Sequence, residues 1–284
     1  MKRQEAWELL QSHLKQENLI KHSISTLVLI FLIFSPIQSI ADQVSSGKID
    51  FAPFFVGHDT AFVFYDLEKN EYIRLNSDKC KQRFSPCSTF KIPNSLIALE
   101  TGIASDANFS LKWDGKINPI KTWNQDHNLK SAFSESCLWF FREIASRVGT
   151  ETMNKFVNDM DYGNRDTSGG LTQFWLDSTL KISPDEQIEF LKKLCTNRLP
   201  FSNRSVKLLK EIMLATQTVE VSVYGKTGTA GDPIKGATMG WYVGFLEKSA
   251  HTYIFAANIS GGDNPSGRKA RQIVFEILRS MKFL

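Results

Sequence analysis

SPCSTFKIPNSLIALETG, residues 85–102, is the stretch around which the rest of the chain is read. Its apolar spacing predicts a helix that opens near Ser88 and closes at Gly102. Pro93 falls early in that helix, where a missing N–H does least harm. Ser88 and Lys91 stand three apart, so both side chains share one helical face, one turn from each other. A Ser at a helix N-terminus lies where N–H groups and the dipole favour developing negative charge. A Lys one turn on can take the hydroxyl proton when it is neutral. Phe90, Ile92 and Leu96 supply the apolar surroundings that lower a Lys pKa.

Spacing alone is weak evidence, because S-x-x-K begins five times in the chain, at Ser12, Ser45, Ser88, Ser178 and Ser266. Ser88 is singled out because it opens an apolar helix, follows a turn-like Ser85-Pro86, and has a second motif downstream. That motif is Lys226-Thr227-Gly228, the one K-[ST]-G in the chain. It is expected at the end of a strand running from Val219. A Lys and a hydroxyl at a strand edge, with Gly allowing close approach, suit a substrate carboxylate, although an isolated K-T-G is also an ordinary turn.

Working outward, residues 62–65 and 72–75 flank Glu68-Lys69-Asn70 and predict a hairpin. Residues 103–130 read as loops, and helices are expected in the second half of 131–148 and over 151–160. Residues 161–182, rich in Gly, Asp, Ser and Thr, predict an ordered loop. Ser183-Pro184-Asp185-Glu186 is a capped helix start with Pro in the first position. Another helix is expected over 203–215, then strands over 219–227, 238–247 and 252–260, then a closing helix over 266–282. Strands near both ends can join one antiparallel sheet, with the helical lobe inserted between them. The fold class is therefore α+β, with a crevice between sheet and helices.

The 284 residues are 42% hydrophobic and 23% charged, which excludes a disordered or fibrous chain. A net charge of +4 without a dense basic stripe argues against nucleic acid as a partner. Residues 24–34, ISTLVLIFLIF, are too short an apolar run to span a bilayer. Lys21 and His22 before it, and Ser39-Ile40-Ala41 after it, describe a secretory signal peptide over residues 1–41. A retained anchor and a hydrophobic helix of the folded domain are the other readings. The long segment before the run carries Glu5, Glu8 and Glu17, which favours translation starting further in, near Leu19. Residues 42–284 then form a single catalytic domain, of net charge about +3, exported to the periplasm with no lasting membrane association. Export permits a Cys80–Cys87 disulfide, while Cys137 and Cys195 read as buried thiols.

Other chemistries have little support. His58, His127 and His251 are scattered, and no H-E-x-x-H or paired C-x-x-C occurs, so no metal site is expected. Neither a G-x-S-x-G elbow nor a glycine-rich phosphate loop is present. His127 offers a base for a Ser-His-Asp arrangement, with nothing local to support it.

The chain resembles the serine β-lactamases and penicillin-binding proteins, and specifically the class D β-lactamases, or oxacillinases. STFKIPNSLIALETG is similar to the class D nucleophile helix. Ser136-Cys137-Leu138 takes the place of the family's S-x-V, and Tyr162-Gly163-Asn164 matches its Y-G-N. Phe174-Trp175-Leu176 resembles its omega-loop segment. Lys226-Thr227-Gly228 and Gly240-Trp241-Tyr242-Val243-Gly244 match its sheet motifs, and Arg268 lies where the family has a carboxylate-binding Arg. The resemblance runs in order over residues 50–282.

It implies hydrolysis of the β-lactam amide of penicillin-type antibiotics, and with it antibiotic resistance. Ser88 would be acylated. Lys91, carboxylated by carbon dioxide or bicarbonate, would be the general base, with Trp175 holding the carbamate. Ser136, assisted by Lys226, would pass a proton to the departing nitrogen. Backbone N–H groups of Ser88 and Thr229 would form the oxyanion hole. Thr227, Gly228, Thr229 and Arg268 would bind substrate, and Phe90, Leu138, Phe141 and Leu176 would wall the lysine pocket. Leu138 departs from the family's Val by one methylene, where it bears on deacylation. The rival readings are a β-lactam-binding sensor, a penicillin-binding transpeptidase-like protein and a non-catalytic peptidoglycan-binding module.

Overall fold

The structure, a computed structural model, describes residues 49–284. The signal segment, the start of translation and the boundary at residue 42 lie outside the described residues.

Strand β1 (Asp59–Asp66) and strand β2 (Glu71–Leu75) form the expected hairpin, with Tyr65 opposite Tyr72. Asn70 turns it in the left-handed region, at φ 57°. Every β1 residue after Asp59 is buried, because β1 is covered on both faces. Phe62 meets Phe51 edge-on at 4.9 Å on one face, and Ala61, Val63 and Tyr65 join the main core on the other.

The helical lobe follows. A 3-10 turn, Cys87–Phe90, runs straight into helix α1 (Lys91–Glu100), of which Lys91 to Leu99 are all buried. Around it pack α2 (Leu129–Ser134), α3 (Leu138–Val148) and α4 (Thr150–Asp159). Helix α5 (Pro184–Cys195) carries the predicted capping box: Ser183 Oγ accepts the Glu186 N–H, and Glu186 accepts the Ser183 N–H. Helix α6 (Asn203–Met213) stops earlier than expected, because Leu214–Gln217 leave it as strand β3.

Strands β4 (Val221–Asp232), β5 (Gly236–Lys248) and β6 (His251–Ser260) complete an antiparallel sheet of order β2-β1-β6-β5-β4-β3. Helix α7 (Gly267–Ser280), capped by Ser266, covers one face, and α5 with the helical lobe covers the other. The architecture is α+β, as expected.

Two expectations change. Lys226-Thr227-Gly228 is interior to β4 and does not end it. It still lies on an edge, because β3 pairs with β4 only as far as Tyr224 and leaves residues 225–232 open on that side. Cys80 and Cys87 are free thiols. Each is buried in its own surroundings: Cys80 Sγ lies 3.3 Å from the Leu75 carbonyl under the hairpin, and Cys87 Sγ lies 3.8 Å from Ser85 Oγ. No described helix is long and apolar enough to cross a membrane.

Candidate active site

Cys87 takes a left-handed conformation, φ 49°, immediately before Ser88. A non-glycine residue holds that geometry only when its surroundings impose it. The chain then tightens into the 3-10 turn, closed by the Thr89 N–H and hydroxyl, which both donate to the Pro86 carbonyl. This leaves Ser88 half-buried at the turn's surface and sends Lys91 inward, 1% exposed. Lys91 Nζ lies 2.8 Å from Ser88 Oγ, so S-x-x-K is one contiguous couple.

Burial holds the Lys91 pKa down to about 7. The chain around it is apolar: Phe141 lies 5.2 Å beneath Nζ, and Phe90 stacks on Trp175 at 5.5 Å. Trp175 is fully buried, yet its Nε1–H has no acceptor among the described residues. A buried indole N–H without a partner is uncommon enough to need an explanation. A carboxylate on Lys91 fits both observations: a neutral amine can take up carbon dioxide, and the orphan N–H can donate to the product. Leu138 opens α3 half-buried, and Leu176 packs half-buried on the core.

A second couple faces the first. Ser136, at φ 55°, stands in the left-handed turn between α2 and α3, and its hydroxyl is hydrogen-bonded to Lys226 Nζ. Lys226 also reaches the Thr227 carbonyl at 3.1 Å and its Oγ1 at 3.2 Å. Burial, followed by repulsion from Lys91, lowers the Lys226 pKa well below its ordinary value. Its Nζ sits 5.4 Å over the Phe133 ring, a wall residue that motif reading did not flag.

Gly228 brings β4 onto the nucleophile turn. A Cβ there would lie 2.9 Å from the Pro86 carbonyl oxygen, so the approach requires glycine. On the other side the Thr229 hydroxyl accepts the Gly267 N–H of α7 at 3.0 Å. Arg268 is exposed on that helix's first turn. One turn further on, Arg271 lines a cleft of about 160 Å³ with Phe133, Lys226 and Thr227. The Arg271 guanidinium lies over the Phe275 ring at 4.9 Å.

His127 is not available as a base, since its ring nitrogens contact Ser131 Oγ and the Thr122 carbonyl inside a loop. Asn164 knits the ends of the 161–182 loop, taking the Lys181 N–H at 2.9 Å and donating to Thr179 O at 2.8 Å. Among the described residues no cluster has the makings of a metal site.

Residues 60–279 match the model of the penicillin-binding protein transpeptidase domain. The chain is 38% identical over 237 residues to the probable β-lactamase YbxI of Bacillus subtilis, covering 84% of this chain and 86% of that one. It is 34% identical over 265 residues to the methicillin resistance protein MecR1 of Staphylococcus aureus, covering 92% of this chain and 45% of MecR1. The solved structure of class D β-lactamase BAT-2 superposes with a TM-score of 0.79 at 35% identity, covering 84% of this chain and 97% of that one. With the nucleophile couple, the second lysine couple and the sheet in this order, the chain belongs to the penicillin-binding protein transpeptidase family, in its class D β-lactamase branch.

Proposed function

We propose that this protein hydrolyses the amide of β-lactam antibiotics through an ester on Ser88, and so confers resistance. The observation that carries the reading is the Lys91–Ser88 couple: a buried amine, its pKa near 7, at 2.8 Å from a hydroxyl. Ser88 Oγ forms a bond to the lactam carbonyl carbon while its proton passes toward Lys91. The carbonyl π electrons move onto oxygen, then return as the C–N bond breaks. Ser136, held by Lys226, hands its proton to the departing nitrogen and regains through Lys226 the proton that Ser88 gave to Lys91. A water then bonds to the ester carbon and gives its proton to the Lys91 base, and the Ser88 oxygen leaves and takes that proton back. The N–H groups of Ser88 and Thr229 are suited to the oxyanion. Thr227, Thr229 and Arg268 receive the substrate carboxylate, and Arg271 of the adjoining cleft is the second arginine that mutation should compare.

Carboxylation of Lys91 supplies, when present, an anionic oxygen base in place of an amine. Lys91 contributes the neutral nitrogen, Trp175 the indole donor, and Phe90 and Phe141 the exclusion of water. With residues 1–41 removed on export, the enzyme would meet its substrates in the periplasm.

The similarity to the C-terminal domain of the Bacillus licheniformis BlaR penicillin-receptor favours one other reading, a sensor that keeps its acyl group. Mixing the protein with a penicillin and following intact mass separates the two. The hydrolase reading expects a transient adduct on Ser88 and accumulation of opened antibiotic; a lasting adduct without product would assign a sensor. Ser88→Ala and Lys91→Ala are expected to lose hydrolysis of a chromogenic cephalosporin, and activity surviving in Ser88→Ala would reject the scheme.

A further inference from the structure

Ser85 stands three residues before Ser88, is 3% exposed, and ties together three parts of the molecule. Its hydroxyl donates to the Trp175 carbonyl at 3.0 Å and accepts the Asp177 N–H at 2.8 Å. Its own carbonyl accepts the Trp241 indole N–H from β5 at 2.9 Å. The two loop bonds bracket Leu176. Asp177 has a φ of 43°, a left-handed conformation that needs outside support in a non-glycine residue. The loop's other nearby bonds, Leu176 N–H to Gln173 O and Leu180 N–H to Phe174 O, are internal to it. The Phe84–Ile182 bridge secures the loop's end. Ser85 secures the part that carries Trp175.

We infer that Ser85 is a positioning residue for the lysine pocket: its hydroxyl clamps residues 175–177, keeping the Trp175 indole stacked on Phe90 with its N–H available to a carboxylated Lys91. The inference rests on the carboxylation proposed above. In that step neutral Nζ forms an N–C bond to carbon dioxide, one C–O π pair moves onto oxygen and the displaced N–H proton passes to solvent, leaving an anion for Trp175 to hydrogen-bond. Clamping acts on that anion's retention and leaves the Ser88–Lys91 couple in place. Sequence alone does not point to it, because Ser85 matches no motif and its partners are about ninety residues away.

By linkage, if clamping favours uptake of carbon dioxide, uptake must tighten the clamp. The experiment compares the unmodified protein, Ser85→Ala and Ser85→Thr in 13C-labelled bicarbonate. Carbon NMR reads the carbamate, and activity is titrated in the same samples. Ser85→Ala is expected to need about fivefold more bicarbonate for half-occupancy, the ratio that one ordinary hydrogen bond represents. Ser85→Thr, which keeps the hydroxyl, is expected to restore the parent value. In the unmodified protein, hydrogen exchange at the Asp177 amide is expected to slow as bicarbonate rises, a measurement that stands even where a variant does not fold. Equal half-occupancy in Ser85→Ala and the parent, or Asp177 exchange indifferent to bicarbonate, would overturn the clamp alone. A parent protein without any carbamate signal would overturn the carboxylation reading and the clamp with it.

Discussion

Lys91 is where one side chain's environment decides the chemistry. Desolvation disfavours its ammonium form, so its neutral fraction falls as pH drops through about 7. The kcat/KM profile of the unmodified enzyme is therefore expected to lose activity on the acid side with an apparent pKa near 7. Burial and then repulsion from Lys91 hold the neighbouring Lys226 below its ordinary value as well. An acid limb at the pH of ordinary carboxylates would contradict this. Trp175→Phe keeps a ring against Phe90 and deletes the N–H, so it should shift melting little and make activity depend on added bicarbonate. Leu138→Val restores the family's shorter side chain, and pre-steady-state kinetics should show severalfold faster deacylation with acylation unchanged. The Ser88–Lys91 couple was legible because an apolar helix start and a downstream K-T-G single it out among five S-x-x-K spacings, and Ser136–Lys226 only through the family resemblance. Arg271 beside the cleft was not, because no motif marks it and only packing places it with Phe133, Lys226 and Thr227.

Elements show the same division between local and tertiary information. The capping box of α5 was readable because its partners are three residues apart. Ser183→Ala should remove about 1 kcal/mol of stability, roughly 2–4 °C in Tm for a domain of this size. Activity per folded molecule should stay as it was, which a thermal melt with a parallel rate assay will check. Strand β3 was not readable, since Leu214 and Ala215 continue the helical pattern and the segment becomes a strand only by pairing with Ser222–Tyr224. The length of β4 was hidden for a related reason: its Gly225, Gly228 and Gly231 lack side chains that would signal alternation. Gly228 in particular serves contact with the nucleophile turn. Gly228→Ala is expected to fold, move β4 away from Pro86 and lower kcat/KM at least tenfold, measurable against an unchanged circular dichroism spectrum.

For the whole molecule, burial of ionisable groups sets a stability maximum on the alkaline side of neutrality. Unfolded Lys binds a proton up to its ordinary value of 10.5, while Lys91 in the fold releases it near 7, so this group makes stability rise with pH between those values. The thiols act oppositely. Burial raises Cys80, Cys87 and Cys137 from 9.0 to about 11 and Cys195 to about 12. Their contribution is full below pH 9 and is lost as pH climbs through the folded values. The urea midpoint, measured at pH 7, 8.5 and 10.5 without bicarbonate, is expected to be highest at 8.5. A steady decline over that range would show that the buried lysines are not the governing groups.

The sheet has one more consequence, and it concerns assembly in time. Strand β1 is paired on its inner side by β6, so Phe62 waits for Ala257 across almost the full described length. Until residues 251–260 join, β1 and β5 each present a bare row of backbone donors and acceptors, the surface on which strange chains add strands. A nascent or C-terminally clipped molecule is thus a pair of adhesive ribbons rather than a weakened enzyme. Such long-range closure is also slow. Truncating the chain before Tyr253 should yield aggregates and not a partly active fragment, so the last thirty residues decide whether everything made before them is kept in solution.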